Sequence, residues 1–204
     1  MPGQKFRLIL FCLIFTSIIV FCVIFGGYSS FWRARNRITD AKALLTQICQ
    51  ERVNLADIII KDFKNAGLEA DMADFRQCAG MAADVLKTLK TIDPPLDENQ
   101  TRHLENSQAD LTQFFKNTLK YLKPPVRQLS ADMAEELTSQ IYGIQDKLFV
   151  AAKSYNDEVI YYNTRTKESM PSLIAKMFGF DKIHYIPVDQ DKFLPAKQTF
   201  KSVP

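Results

Sequence analysis

Two histidines, four cysteines and a repeated Tyr-Asn pair are the residues with chemistry to offer in this 204-residue chain. Acid–base, nucleophilic and metal-assisted catalysis all need several such groups converging in one pocket. His103 and His184 stand far apart, and neither belongs to a Glu-x-x-His pair of the kind that holds a di-iron centre in helical bundles. No glycine-rich phosphate loop and no Gly-x-Ser-x-Gly elbow occurs. The sequence therefore implies no catalytic residues, no metal, no cofactor and no enzymatic activity. Cys12 and Cys22 sit in an apolar run, and Cys49 and Cys78 fall on separate helices without metal-type spacing. Buried free thiols are expected at Cys49 and Cys78, with a disulfide between them as the alternative.

Tyr155-Asn156 returns as Tyr162-Asn163, one heptad later. On a helix this spacing puts both tyrosines on one buried stripe and both asparagines one residue further round, at the edge of that stripe. A tyrosine at a core edge packs its ring and sends its hydroxyl to a partner, while an asparagine can bond a neighbouring helix or cap a carbonyl. Packing is the expected role, ahead of ligand binding.

The elements that position these residues begin with a run free of charge. "LILFCLIFTSIIVFCVIFGG", Leu8 to Gly27, has only Thr16 and Ser17 as clearly polar residues. Twenty helical residues rise about 30 Å, the thickness of a bilayer's hydrocarbon core. The run is longer than the h-region of a cleaved signal peptide, so residues 1–7 read as a short N-terminal segment and 8–28 as a single transmembrane anchor. Lys5 and Arg7 precede it and Arg33, Arg35 and Arg37 follow it, a balance that favours a cytoplasmic C-terminal domain. Tyr28, Phe31 and Trp32 stand where amphipathic rings settle at headgroup level.

Residues 1–42 hold six of the 26 Lys and Arg and one of the 23 Asp and Glu, so the rest of the chain carries 20 basic and 22 acidic residues. The net charge of +3 is a juxtamembrane property. No nucleic-acid partner is implied, and Arg33, Arg35 and Arg37 are expected to touch lipid headgroups.

Beyond the span, apolar residues recur at helical spacing. A first helix is expected from about Ile38 to Ala66, with Ile38, Ala41, Leu45, Ile48, Leu55 and Ile59 inward and Gly67 as its stop. Arg52 interrupts that stripe and is expected to snorkel or to pair with a carboxylate. A second helix runs from about Glu69 to Thr91 with Met72, Phe75, Ala79, Ala82, Leu86 and Leu89 as its seam, ended by Asp93-Pro94-Pro95. Asp97 and Gln100 form a capping-box pattern ahead of a third helix that buries Leu104, Leu111, Phe115, Leu119 and Leu122 and stops at Lys123-Pro124-Pro125. From Ser130 a fourth stripe (Met133, Leu137, Ile141, Ile144, Leu148, Ala151, Tyr155, Val159, Tyr162) continues until Pro171.

The fold class is all-α: an N-terminal transmembrane helix followed by an antiparallel four-helix bundle over residues 38–170. Three short turns bring the end of the fourth helix back to the start of the first, beside the membrane. The apolar segment 171–188, with Leu173, Ile174, Met177, Phe178 and Phe180, then docks on the bundle or on the lipid surface, docking on protein being the simpler expectation. "KIHYIPV" is the one strand-like run, too isolated for a sheet. Residues 189–204 read as a disordered tail.

"YNDEVIYYNTRTKESMPSLIAKMFGF" resembles the C-terminal signature of the LemA family, through Tyr155, Asn156, Val159, Tyr162, Asn163, Pro171, Ala175, Phe178, Gly179 and Phe180. A span followed by a four-helix domain of this length also resembles the family layout. The chain departs from the family pattern at "RVNLADII" from Arg52, which lacks a Pro-Asn pair, and at Gln145 and Ala152, where a Glu and an Arg usually stand. An acidic-Leu-Lys-Ala-Asn stretch is also missing. The resemblance implies a membrane-anchored helical protein with a short external N-terminus, a cytoplasmic bundle and no settled biochemical activity.

The function expected is an interaction or scaffold module at the cell membrane, working through an unidentified protein partner. Self-association through the small-residue seam at Ala79, Ala82 and Ala83 is a further possibility. The alternative is a lipid-sensing or membrane-shaping module built on the three arginines and the C-terminal apolar segment.

Overall fold

A computed structural model describes residues 2–67, 73–91, 96–122 and 130–186, with the backbone alone for 2–5, 73–75 and 169–170. The expected helix start near Glu69, Met72, the side chain of Phe75, both proline breaks and the tail from Asp189 lie outside what it describes. Among the described residues all regular structure is helical: α1 Pro2–Asn65, α2 Ala73–Lys90, α3 Glu98–Tyr121, α4 Ala131–Arg165 and α5 Ser169–Phe178.

α1 joins what the sequence reading divided. The expected span and first bundle helix are one uninterrupted 64-residue helix, because residues 29–37 contain no proline or glycine to break the ladder. Its N-terminal half is exposed from Phe6 to Val23 and is the one described helix long and apolar enough to cross a membrane. Its C-terminal half carries the bundle's central stripe, with Ile38, Ala41, Leu45, Ile48, Leu55 and Ile59 all buried. Gly67 ends it with φ +81, a conformation in which a Cβ would be strained.

The remaining helix starts follow from capping chemistry. The Asp97 side chain accepts from the Gln100 N–H at 2.8 Å and the Gln100 side chain accepts from the Asp97 N–H at 3.0 Å, closing the capping box. Ser130 Oγ accepts from Met133 N–H at 3.4 Å and opens α4. α1 packs against every other helix, most extensively α4, and α2 packs on α3. α4 runs antiparallel to α1: Glu51 pairs with Lys147 at 3.3 Å and Arg37 with Glu158 at 3.0 Å, while Arg165 Nη1 donates to Ser30 Oγ at 2.6 Å. The end of the fourth helix thus returns toward the apolar half of α1, as the turn count implies.

Several expectations need correction. α4 stops at Arg165, six residues before Pro171: the Thr166 N–H donates to Tyr162 O at 3.2 Å and the Thr166 hydroxyl donates to Asn163 O at 2.8 Å, satisfying the last carbonyls locally. Pro171 sits instead in the first turn of α5, where a missing N–H breaks no intrahelical bond. Met133 lies in α4's first turn and is 38% exposed, so the buried stripe begins at Ala134. Ala79 and Ala82 are buried within the chain, and Ala83 is half-buried.

Candidate functional site

The repeated Tyr-Asn pair clamps the chain's own C-terminal segment. Asn163 Nδ2 donates to Ile183 O at 2.7 Å while its Oδ1 accepts from Ile183 N–H at 3.0 Å. Asn156 does the same to Ile186, at 2.6 Å and 2.9 Å. Each amide thereby stands in for a neighbouring strand, meeting both polar groups of one residue as a ladder rung would. The spacing explains the heptad: seven helical residues rise about 10.5 Å and three extended residues span about 10 Å, so Asn156 and Asn163 fall in step with Ile186 and Ile183. Tyr155 Oη adds a bond of 3.2 Å to His184 O, and Ile183 and Ile186 bury their side chains. "KIHYIPV" is therefore extended as far as it is described, but it is paired to side chains rather than to a sheet.

α5 and Gly179 deliver this strap. The Phe180 N–H donates to Ala175 O at 2.9 Å, closing the last turn with Gly179 at φ 67 and ψ 36, the left-handed cap that glycine adopts without a Cβ penalty. Phe180 then stacks on Phe31 with centroids 5.1 Å apart, and Phe31 meets Tyr162 edge-on at 5.8 Å. Val159 is fully buried in the same core. On α5, Ile174 and Ala175 are buried, and Ile174 sits so close to Gly27 that a Cβ there would collide with it. Phe178 packs on Tyr28 at 5.0 Å. Leu173, Met177 and Phe178 nevertheless remain exposed. The segment expected to choose between protein and lipid has one face on α1 and an apolar face left over.

The electrostatics follow from burial. Desolvation pushes the phenols of Tyr155 and Tyr162 up to about 12 each. Tyr161, on the opposite side of α4, is exposed and held below the usual phenol value, chiefly by the hydrogen bond from Arg165. The three juxtamembrane arginines do not form one patch. Arg37 pairs with Glu158 and lies 4.7 Å over the Tyr161 ring, Arg35 is half-buried, and Arg33 is exposed.

Arg52 neither snorkels nor meets a carboxylate. It is fully buried: Nη1 donates to Gln108 Oε1 at 2.5 Å and to Gln108 O at 3.4 Å, and Nη2 donates to Thr112 Oγ1 at 2.8 Å. Its guanidinium carbon lies 5.4 Å from the Phe115 ring centre. Neither Cys49, also buried, nor the half-buried Cys78 is in a disulfide.

A family model described as the LemA family matches residues 37–198. The chain belongs to the LemA family. No curated protein and no solved structure matches it. The LemA match begins at Arg37, within α1 and past its apolar stretch, and takes in the bundle, α5 and the strap. The residues of the LemA-like motif lie on the C-terminal half of α4 and on α5 with its cap, and Tyr162 and Phe180 of the motif meet at Phe31. Four positions were not foreseen as structural partners: Ile183 and Ile186, which the two asparagines hold, Gln108, which accepts from Arg52, and Gln145, buried on α4. The alternation of Ile183, His184, Tyr185 and Ile186 was the available signal for the first pair. Gln108 carried none beyond its place on an apolar stripe, and Gln145 stood out only as a position where the family pattern usually has a Glu. Among the described residues no group of three or more His, Cys, Asp or Glu comes together.

Proposed function

We propose that this protein is a non-enzymatic, single-pass interaction module of the cell membrane, with its bundle on the cytoplasmic side, a protein partner, and α5 as a second contact with lipid. The observation that carries this reading is the height of α5. Ile174 meets Gly27 and Phe178 meets Tyr28, so α5 lies level with the last residues of the expected span. At that height Leu173, Met177 and Phe178 face outward at 63%, 58% and 44% exposure, beside Trp32 at 50%. Such a patch is costly in water and favourable in the headgroup–acyl boundary, where amphipathic helices bury their apolar face.

The motif chemistry supports an interaction role. Tyr155, Asn156 and Asn163 direct their polar atoms to main-chain groups of this chain, which makes them parts of a scaffold. The lipid-sensing alternative is supported by α5 more than by the arginines, since Arg37 is engaged by Glu158.

Trp32 is the chain's one tryptophan, so a Trp32→Phe, Met177→Trp variant reports on α5 alone. In bilayers with lipids brominated high in the acyl chain, its emission is expected to be blue-shifted and quenched. Emission typical of water, unaffected by bromine, would overturn the lipid contact.

A further inference from the structure

Arg52 carries a buried charge without a counter-charge. Its acceptors, Gln108 and Thr112, are neutral, and among the described residues no carboxylate pairs with it. The Cys49 thiol, one turn earlier, is pushed up to about 12 by burial and is neutral at physiological pH. Burial draws the guanidinium itself down only to about 10, so it remains a cation. A buried ion in such a setting needs an ionic partner, because neutral hydrogen bonds compensate its lost hydration only in part.

Unused buried donors also occur on α1, α3 and α4. Arg52 Nε, Gln108 Nε2 and Gln145 Nε2 are buried and make no hydrogen bond. Gln108 already touches the guanidinium through Oε1. Gln145 is on α4, and the pairing of Glu51 with Lys147 and of Arg37 with Glu158 sets it level with Arg52 across the α1–α4 seam. Its amide makes no bond at either end, so it is free to present its nitrogen. A cation and three N–H donors on three helices, with the Gln145 oxygen as the one unused acceptor named there, describe a receptor for negative charge.

We propose that Arg52, Gln108 and Gln145 form a buried site for one small monovalent anion of the halide class, chloride under physiological conditions. The Phe115 ring and the Cys49 thiol around the guanidinium favour a singly charged, weakly hydrated ion over sulfate or phosphate, whose dehydration cost is far larger. A water molecule would satisfy donors but leave the charge unpaired. The site does not depend on how the protein sits in the membrane or on what it binds.

The test is the thermal midpoint of the full chain in a non-ionic detergent at constant ionic strength, with gluconate replaced stepwise by chloride. The expected result is a saturable rise of roughly 2–4 °C by about 200 mM chloride, reproduced by bromide. Gln145→Glu and Gln108→Glu each supply an internal carboxylate at the layer, and a folded variant of either kind is expected to have lost the chloride response. Equal midpoints in chloride and gluconate would overturn the proposal and leave a water-filled layer. A chloride response that persists in either folded variant would also overturn it, by placing the ion elsewhere.

Discussion

An asparagine that bonds both the N–H and the C=O of one buried residue is harder to replace than one that caps a single group. At Asn163, alanine strands the Ile183 N–H and carbonyl, and leaving buried polar groups unpaired costs about 1–3 kcal/mol. Aspartate is expected to be worse despite its similar shape, since its second oxygen would face Ile183 O where Nδ2 now donates. Limited proteolysis with cleavage after Lys182 would report it, with faster cutting in Asn163→Asp than in Asn163→Ala and slow cutting in the parent. Equal rates in all three would remove the clamp. At the neighbouring Tyr155, truncation to alanine opens a cavity in a fully buried site and is expected to cost about 3–5 kcal/mol, whereas Tyr155→Phe loses one 3.2 Å hydrogen bond and about 0.5–1.5 kcal/mol. Denaturant melts separate the two.

The same residues set the alkaline limit. Tyr155 and Tyr162 titrate in the fold at about 12, above the ordinary phenol value of 10.0, so their contribution is complete below pH 10 and is lost as pH rises through about 12. Cys49 adds a loss that begins nearer its ordinary 9.0. Arg52 works in the opposite direction, its cost easing as it deprotonates above about 10, but it is one group against three. Ultraviolet titration of the seven tyrosines should therefore show a late fraction that ionises together with loss of helix. A single transition near pH 10 with the helices intact would contradict the burial of these rings. Residue identity made Tyr155 and Tyr162 legible as core. The partners of Asn156, Asn163 and Arg52 were not, because a partner 20 to 60 positions away depends on tertiary register that local pattern does not contain.

At the scale of elements, helices were legible wherever chemistry marks their ends. The Asp97–Gln100 box, Ser130 and Gly67 all act as their residue types imply. The break after Arg165 was less visible, since Thr166 ends α4 with its hydroxyl and N–H rather than with proline or glycine. It follows that Pro171→Ala should be mild. Lying in the first turn of α5, Pro171 stabilises mainly by restricting the unfolded chain, and its loss is expected to cost about 0.4–1 kcal/mol. A loss of about 3 kcal/mol or more in a denaturant melt would mean that Pro171 braces the turn itself. The strap was the hardest element to foresee. An extended segment without a sheet carries no pairing signal, and its partner is a pair of side chains on a helix.

Across the whole molecule the all-α bundle followed from periodicity, because each stripe needs a neighbour and short turns leave few ways to supply one. The cytoplasmic placement proposed for the bundle rests on charge balance and has its own test. With Cys12, Cys22 and Cys78 replaced by alanine and Ser154→Cys introduced on the exposed face of α4, a membrane-impermeant maleimide should label the protein only after lysis. Labelling of intact cells would place the bundle outside.

The unbroken α1 makes the candidate membrane-crossing stretch and the bundle's central stave one lever. From Tyr28 to Asn65 the helix extends on the order of 55 Å beyond the span, so a 10° change in tilt would carry its tip roughly 10 Å sideways. Bilayer thickness, which sets such tilts, would then be read out at the far end of the bundle as displacement.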